Sequence, residues 1–255
     1  MINIIKNKLC IFFLCISFII NFLGCNANCD MNIVEFDTPV KEVQNEEIEY
    51  EKGTALPIGT VVSLKGKNEK LIIFGWMQMT PNNENKLYDY ISFKYPIGPV
   101  TKDDIQVFDE ENIDKIYFYG YEDKEGIEYR NKVIEYRNKV KNKNDEFVTQ
   151  DNIVNKEENN VTVSSNQFLP LGSIVNLNNS DQKYMIIGRL IRDEEDRLYD
   201  YYSCLYPEGN IREDSNKLFD SDEIDTIYFY GYEDEEEINR NEELVKYKNT
   251  ISQYK

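Results

Sequence analysis

Histidine is absent from this chain, and tryptophan occurs once, at Trp76. Without histidine there is no Ser-His-Asp or Cys-His catalysis, no histidine-ligated zinc and no imidazole acid–base group. The glycines form no G-x-S-x-G elbow, no Walker-type loop and no dinucleotide-binding pattern. Positive charge is also short, with 29 Lys and Arg against 47 Asp and Glu, a formal net charge of -18. Such a surface repels phosphate backbones and anionic headgroups, so nucleic acid is not an expected partner. The carboxylates follow no D-x-[DN]-x-[DN]-G calcium loop, and no metal or cofactor is expected. Asp103 and Asp104 come nearest to a glycosidase-like pair, but their counterparts in a second copy of the sequence are Asp214 and Ser215.

Cysteine is present without the pattern of a disulfide framework. Cys10 and Cys15 fall in the N-terminal apolar stretch, and Cys25 and Cys29 follow it closely. Cys204 alone lies in a folded region, opposite Phe93 of the first copy, and reads as a small buried apolar residue. The single long apolar run, Leu9 to Ile20, follows Lys6 and Lys8 and is shorter than the about 20 residues of a membrane span. Cys25 after Gly24 is similar to a bacterial lipobox, so a signal peptide (1–24) and lipidation at Cys25 are expected. An uncleaved N-terminal anchor is the alternative. Two acyl chains hold a protein at a membrane without basic residues.

What the sequence does contain is a tandem duplication. Leu56-Pro57-Ile58-Gly59 returns as Leu169-Pro170-Leu171-Gly172, and Tyr88-Asp89-Tyr90 as Tyr199-Asp200-Tyr201. Tyr95-Pro96 with Gly98 returns as Tyr206-Pro207 with Gly209, and Ile116 to Asp123 as Ile227 to Asp234. Two copies are too few for a solenoid. The organisation expected is a polar tether (25–53), a first repeat domain (54–141), a disordered linker (142–165) and a second repeat domain (166–255). The linker composition cannot bury enough apolar surface to offset backbone ordering.

Each copy predicts four strands and a helix. In the first they are Thr60–Leu64, Leu71–Phe74, Leu87–Tyr95 and Ile116–Tyr121, with a hairpin turn at Gly66. The second repeats them as Ser173–Leu177, Tyr184–Ile187, Leu198–Tyr206 and Ile227–Tyr232. Tyr129, Val133, Tyr136 and Val140 recur at helical spacing and predict the buried stripe of the first helix. Leu244, Tyr247, Ile251 and Tyr254 do the same for the second. Acidic residues at both helix starts suit the N-terminal dipole. The fold class expected is α+β: two similar small domains, each a four-stranded antiparallel sheet or half-open barrel followed by a C-terminal helix.

Six tyrosines on two strands of the first copy recur in the second. Tyrosine combines large contact area with a polar tip, so these residues serve either a core or a binding face. The candidate binding residues are Trp76, Tyr88, Tyr90, Arg189, Tyr199 and Tyr201. Trp76 and Arg189 occupy the same position in the two copies, and so do Ile97 and Glu208.

The motifs Leu169-Pro-Leu-Gly-Ser-Ile-Val175, Met185-Ile-Ile-Gly-Arg189, Tyr199-Asp-Tyr201, Tyr206-Pro-Glu-Gly209 and Gly231-Tyr-Glu-Asp-Glu-Glu236 resemble the domain-of-unknown-function family 4176. The resemblance implies a low-GC Gram-positive bacterium and loci near type VII secretion systems with LXG toxins. It implies no catalytic residues. A tandem form behind a lipobox-like signal departs from the small, single-domain, cytoplasmic-looking members. The function expected is therefore a non-enzymatic lipoprotein on the outer face of the cell membrane. It would bind a protein partner, such as a type VII secreted toxin, in an immunity or accessory role. The alternatives are a peptidoglycan-binding module and an enzyme using only carboxylates and tyrosine.

Overall fold

Hydrophobic alternation and β-branching build two successive antiparallel sheets. The computed structural model describes residues 48, 50–80, 83–101, 104–141, 167–212 and 215–252. The signal region with Cys10, Cys15, Cys25 and Cys29, most of the tether and the 142–165 linker lie outside the described residues. Asp103, Asp214 and Tyr254 do so too. The first sheet comprises β1 (Val61–Leu64), β2 (Lys70–Thr80), β3 (Asn83–Lys94), β4 (Gln106–Phe108) and β5 (Ile113–Phe118). The second comprises β6 (Ile174–Leu177), β7 (Lys183–Arg192), β8 (Leu198–Tyr206), β9 (Lys217–Phe219) and β10 (Ile224–Phe229). The strand order is β4-β3-β2-β1-β5 in one and β9-β8-β7-β6-β10 in the other. Each sheet is followed by a helix, α1 (Lys124–Lys141) or α2 (Glu235–Ser252).

The α+β class and the repeated unit are as the sequence predicts, with five strands where four were expected. The additional strand is three residues long, too short to carry an alternating pattern, and is held by pairing with β3 at Tyr90, Ile91 and Ser92. The last strand begins earlier than predicted and ends at Phe118 (Phe229 in the second copy), leaving Gly120-Tyr121 and Gly231-Tyr232 in the segments that lead to the helices.

Aspartate side chains start both helices. Gly126 N donates to Asp123 Oδ1 at 2.8 Å, and Glu237 N donates to Asp234 Oδ1 at 3.0 Å. The buried face of α1 differs from the predicted stripe. Ile127, Arg130, Ile134 and Arg137 are buried, whereas Tyr136 and Val140 are exposed. In α2, Leu244 is buried as predicted but Tyr247 is exposed. Arginine can face inward because its donors find fixed acceptors. Arg130 donates to Ala55 O (2.7 Å), the Tyr119 hydroxyl (3.1 Å) and Glu122 Oε2 (2.6 Å). Arg137 donates to Gly53 O and lies 3.7 Å from Glu110 Oε2.

Both sheets belong to one compact unit, Asn45–Lys255, and share one large apolar core, beside which Ala55, Ile127 and Ile134 form a small separate cluster. The two copies meet reciprocally, as subunits of a two-fold dimer do. Gly59 and Gly172 abut at the centre. Around them Phe118, Tyr121, Phe229 and Tyr232 stack, with ring centroids 5.1–5.8 Å apart. The Tyr95 hydroxyl donates to Tyr232 O at 2.9 Å, while the Tyr206 hydroxyl donates to Asp123 Oδ1 at 3.2 Å. Lys70 pairs with Asp234 (2.7 Å), and its counterpart Lys183 pairs with Asp123 (2.6 Å). The Tyr-Pro-x-Gly loop of each copy lies on the glycine of the other copy's second strand. A Cβ on Gly209 would meet Phe74 O at 2.7 Å, and one on Gly98 would meet Ile187 O at 2.8 Å.

Candidate functional site

The seating of each loop on the opposite sheet leaves two equivalent grooves beside the helices. The first, about 330 Å³, runs between β2, α1 and the loop after β8. Its walls are Trp76, Met77, Tyr129, Val133, Tyr136 and Ile211, with Glu208 and Asn210 from the second copy's loop. The second, about 520 Å³, runs between β7, α2 and the loop after β3, with Ile97, Val100, Arg189, Leu190, Leu244 and Tyr247 among its lining residues. Met77 (φ 53°) and Leu190 (φ 52°) stand at matching places in the left-handed region, where a Cβ clashes with the backbone. The duplication thus repeats the strained backbone as well as the groove.

Charge differs sharply between the grooves. Arg189 is buried against Glu237 in a two-pronged ion pair and also donates to Pro96 O at 2.9 Å. Burial raises the Glu237 carboxyl to about 7, an effect that Arg189 opposes only in part. In the first groove Trp76 replaces Arg189 and Gly126 replaces Glu237. Trp76 Nε1 donates to Leu56 O at 2.8 Å, and its ring lies 5.8 Å from that of Tyr129. Glu208 replaces Ile97, and its Oε2 is buried with no protein partner.

The candidate binding residues are not one surface. Tyr90 and Tyr201 are buried in equivalent roles, their hydroxyls accepting from Leu56 N (2.9 Å) and Leu169 N (3.0 Å). Each thereby fixes the start of its Leu-Pro-x-Gly segment, so neither is an accessible binding residue. Tyr88, in the middle of β3, and Tyr199, at the start of β8, are half-buried under Lys86 and Arg197 respectively. Trp76 is 8 % exposed, so it forms a groove wall rather than a projecting anchor. Arg189 takes the equivalent place in the second groove. Cys25 lies outside the described residues. Sequence reasoning missed Glu208, Tyr129, Tyr136 and Tyr247 as groove residues. The signal was the paired exchange of Trp76 for Arg189 and of Ile97 for Glu208, whose meeting across the copies the alignment could not show.

Several ionisable groups of the interior, though not Glu208, are committed to structure. Asp89 and Asp109 share Lys141 at 2.7 and 3.0 Å, and Asp200 takes Lys248 at 2.5 Å. Burial holds the phenols of Tyr90, Tyr95 and Tyr206 far above their usual range, and it also pushes the Cys204 thiol up. Asp104 accepts from Val100 N (2.9 Å) and Thr101 N (2.5 Å), which explains it as a turn residue. Among the described residues no group of three or more His, Cys, Asp or Glu side chains is placed to hold a metal.

The family named domain of unknown function, DUF4176, matches the chain in two segments, residues 55–129 and 168–239. The chain belongs to this family. Comparison with curated proteins and with solved structures gives no match. Both DUF4176 segments end in the first turns of their helices. They contain the Leu-Pro-x-Gly, Tyr-Pro-x-Gly and Gly-Tyr-Glu-Asp motifs, and all three sit at the junction between the copies. Much of the DUF4176 pattern in this chain is therefore the means by which one copy holds another.

Proposed function

We propose that this protein is a non-enzymatic, lipid-anchored surface protein whose tandem DUF4176 unit binds a secreted toxin through its two grooves, in an immunity or accessory role. The observation that carries the reading is the placement of exposed apolar side chains. Among the described residues eight large apolar side chains are exposed, and Val100, Tyr136, Ile211 and Tyr247 line the grooves. Apolar surface gathered in concave sites with polar rims marks protein contact more than chance exposure does. Glu122, Asp89 and Glu237 are each held by an arginine or lysine, which fits structural roles for these carboxylates. The apolar run Leu9 to Ile20, with Gly24-Cys25 shortly after it, supports the lipid anchor.

The test is titration of full-length protein in detergent with each secreted toxin encoded beside its gene, followed by biolayer interferometry. One toxin is expected to bind saturably, with Tyr136→Ser or Tyr247→Ser weakening it at least about tenfold, as central aromatic contacts do. Absence of binding across the locus, or binding to purified peptidoglycan instead, would refute the toxin reading. Labelled palmitate is expected to enter the wild-type protein and not Cys25→Ala. Equal labelling would remove the anchor from the proposal.

A further inference from the structure

We infer that the groove formed by Trp76, Tyr129, Tyr136 and Glu208 receives one lysine or arginine side chain from a basic segment of the bound protein. The inference rests on the protein-binding reading above and specifies the chemistry of one of its two sites. It begins with Glu208, a part-exposed residue of the groove wall whose Oε2 is buried and has no hydrogen-bond partner. The other inward carboxylates of the unit behave differently. Glu237 has Arg189, Glu122 has Arg130 and Asp89 has Lys141. A buried carboxylate oxygen left without a donor is costly, and such groups are retained where something supplies the missing partner.

Comparison of the two copies shows what is missing. In the second groove the cation is built in, because Arg189 fills the β7 position and Glu237 holds it from α2. The loop residue facing that groove is then apolar Ile97. In the first groove the built-in cation has become Trp76 and its carboxylate has become Gly126, while the loop residue has become a carboxylate. The exchange turns a self-neutralised site into an anionic site with aromatic walls. An aromatic face near a carboxylate is the environment that favours an ammonium or guanidinium group. Lys132 lines the same groove but is exposed, and neither it nor any other described cation forms an ion pair with Glu208. The net charge of -18 draws a basic segment toward the surface before contact.

The test uses full-length protein and three blocked single-residue probes: N-acetyl-lysine methylamide, N-acetyl-arginine methylamide and the uncharged isostere N-acetyl-norleucine methylamide. Emission from Trp76, the one tryptophan of the chain, reports occupancy. The lysine or arginine probe is expected to give a saturable change that norleucine does not. Glu208→Gln is expected to weaken it about tenfold, the loss of one charge-assisted contact. Lys132→Ala is expected to leave binding equal or tighter. Equal binding of norleucine, or of Glu208→Gln and wild type, would overturn the inference, as would loss of binding in Lys132→Ala. Stability gives a second, independent readout. The urea midpoint of Glu208→Gln is expected above that of wild type, since an amide replaces an unpaired carboxylate. A lowered midpoint would mean that Glu208 is already paired, and would also overturn it. A toxin bound with equal affinity by wild type and Glu208→Gln would refute this inference alone. Probe binding without toxin binding would refute the toxin alone.

Discussion

Replacing Gly209 by alanine tests whether the Tyr-Pro-x-Gly loop holds the two copies together. Gly209 has φ +72°, and an added Cβ would lie 2.7 Å from Phe74 O and 3.1 Å from Gly75 Cα. Both are backbone atoms of the other copy's sheet, which cannot rotate aside. The left-handed conformation costs an L-residue about 1–2 kcal/mol, and overfilling a packed junction costs about 1–3 kcal/mol more. Gly66 separates the two contributions, because it has φ +74° with nothing within 4 Å of a new Cβ. Gly66→Ala therefore reports strain alone, at about 1–2 kcal/mol. Gly209→Ala should exceed it by about 1–3 kcal/mol. Urea unfolding followed by Trp76 emission and circular dichroism, with linear extrapolation, measures both. Gly98→Ala, whose Cβ would meet Ile187 O at 2.8 Å, should resemble Gly209→Ala. If Gly209→Ala and Gly66→Ala cost the same within about 0.5 kcal/mol, the loop does not bear on the opposite copy and the reciprocal junction is wrong.

Glu237 predicts a pH dependence. Its carboxyl rises from the ordinary 4.5 to about 7 through burial, so the native protein holds this proton more tightly than the unfolded chain. Its contribution is full below about 4.5, falls as pH rises toward 7 and is then gone, a span of about 3 kcal/mol. Urea stability measured across that window should fall less steeply in Glu237→Gln, which also leaves Arg189 without its counter-charge and so lowers stability throughout. Parallel curves for the two proteins would contradict the assignment. Arg130→Ala strips Glu122 of its buried partner and should cost about 3–5 kcal/mol. Lys139→Ala breaks only an exposed pair with Glu135 and should cost under about 0.5 kcal/mol by the same measurement. A double-mutant cycle on Lys183 and Asp123, a half-shielded pair between the copies, should show coupling of about 1–2 kcal/mol. Zero coupling would make that pair incidental.

Much of each repeat was legible because its signals are local. Val61-Val62 and Leu71 to Phe74 announce strands by branching and continuous apolarity, and Gly66 marks the hairpin. Acidic residues mark both helix starts, where Asp123 and Asp234 accept from first-turn N–H groups. The short β4 carried no periodicity and exists only because β3 offers it an edge. The buried helix face was misjudged because Arg130 and Arg137 count as polar in any periodic reading. Ala55 O and Gly53 O, more than seventy residues away, turn them inward.

The sequence by itself determined the repeated sheet-and-helix unit, the acidic surface and the turn geometry, since these depend on residues near one another along the chain. Only tertiary structure decided that the two units share one core. It also decided that Tyr95, Tyr121, Tyr206 and Tyr232 and the Tyr-Pro-x-Gly loops serve their junction, and that Glu208 of one copy lines a groove with Trp76 of the other. Those pairings join residues more than eighty positions apart, where packing and the pairing of buried charge select partners that no local pattern encodes.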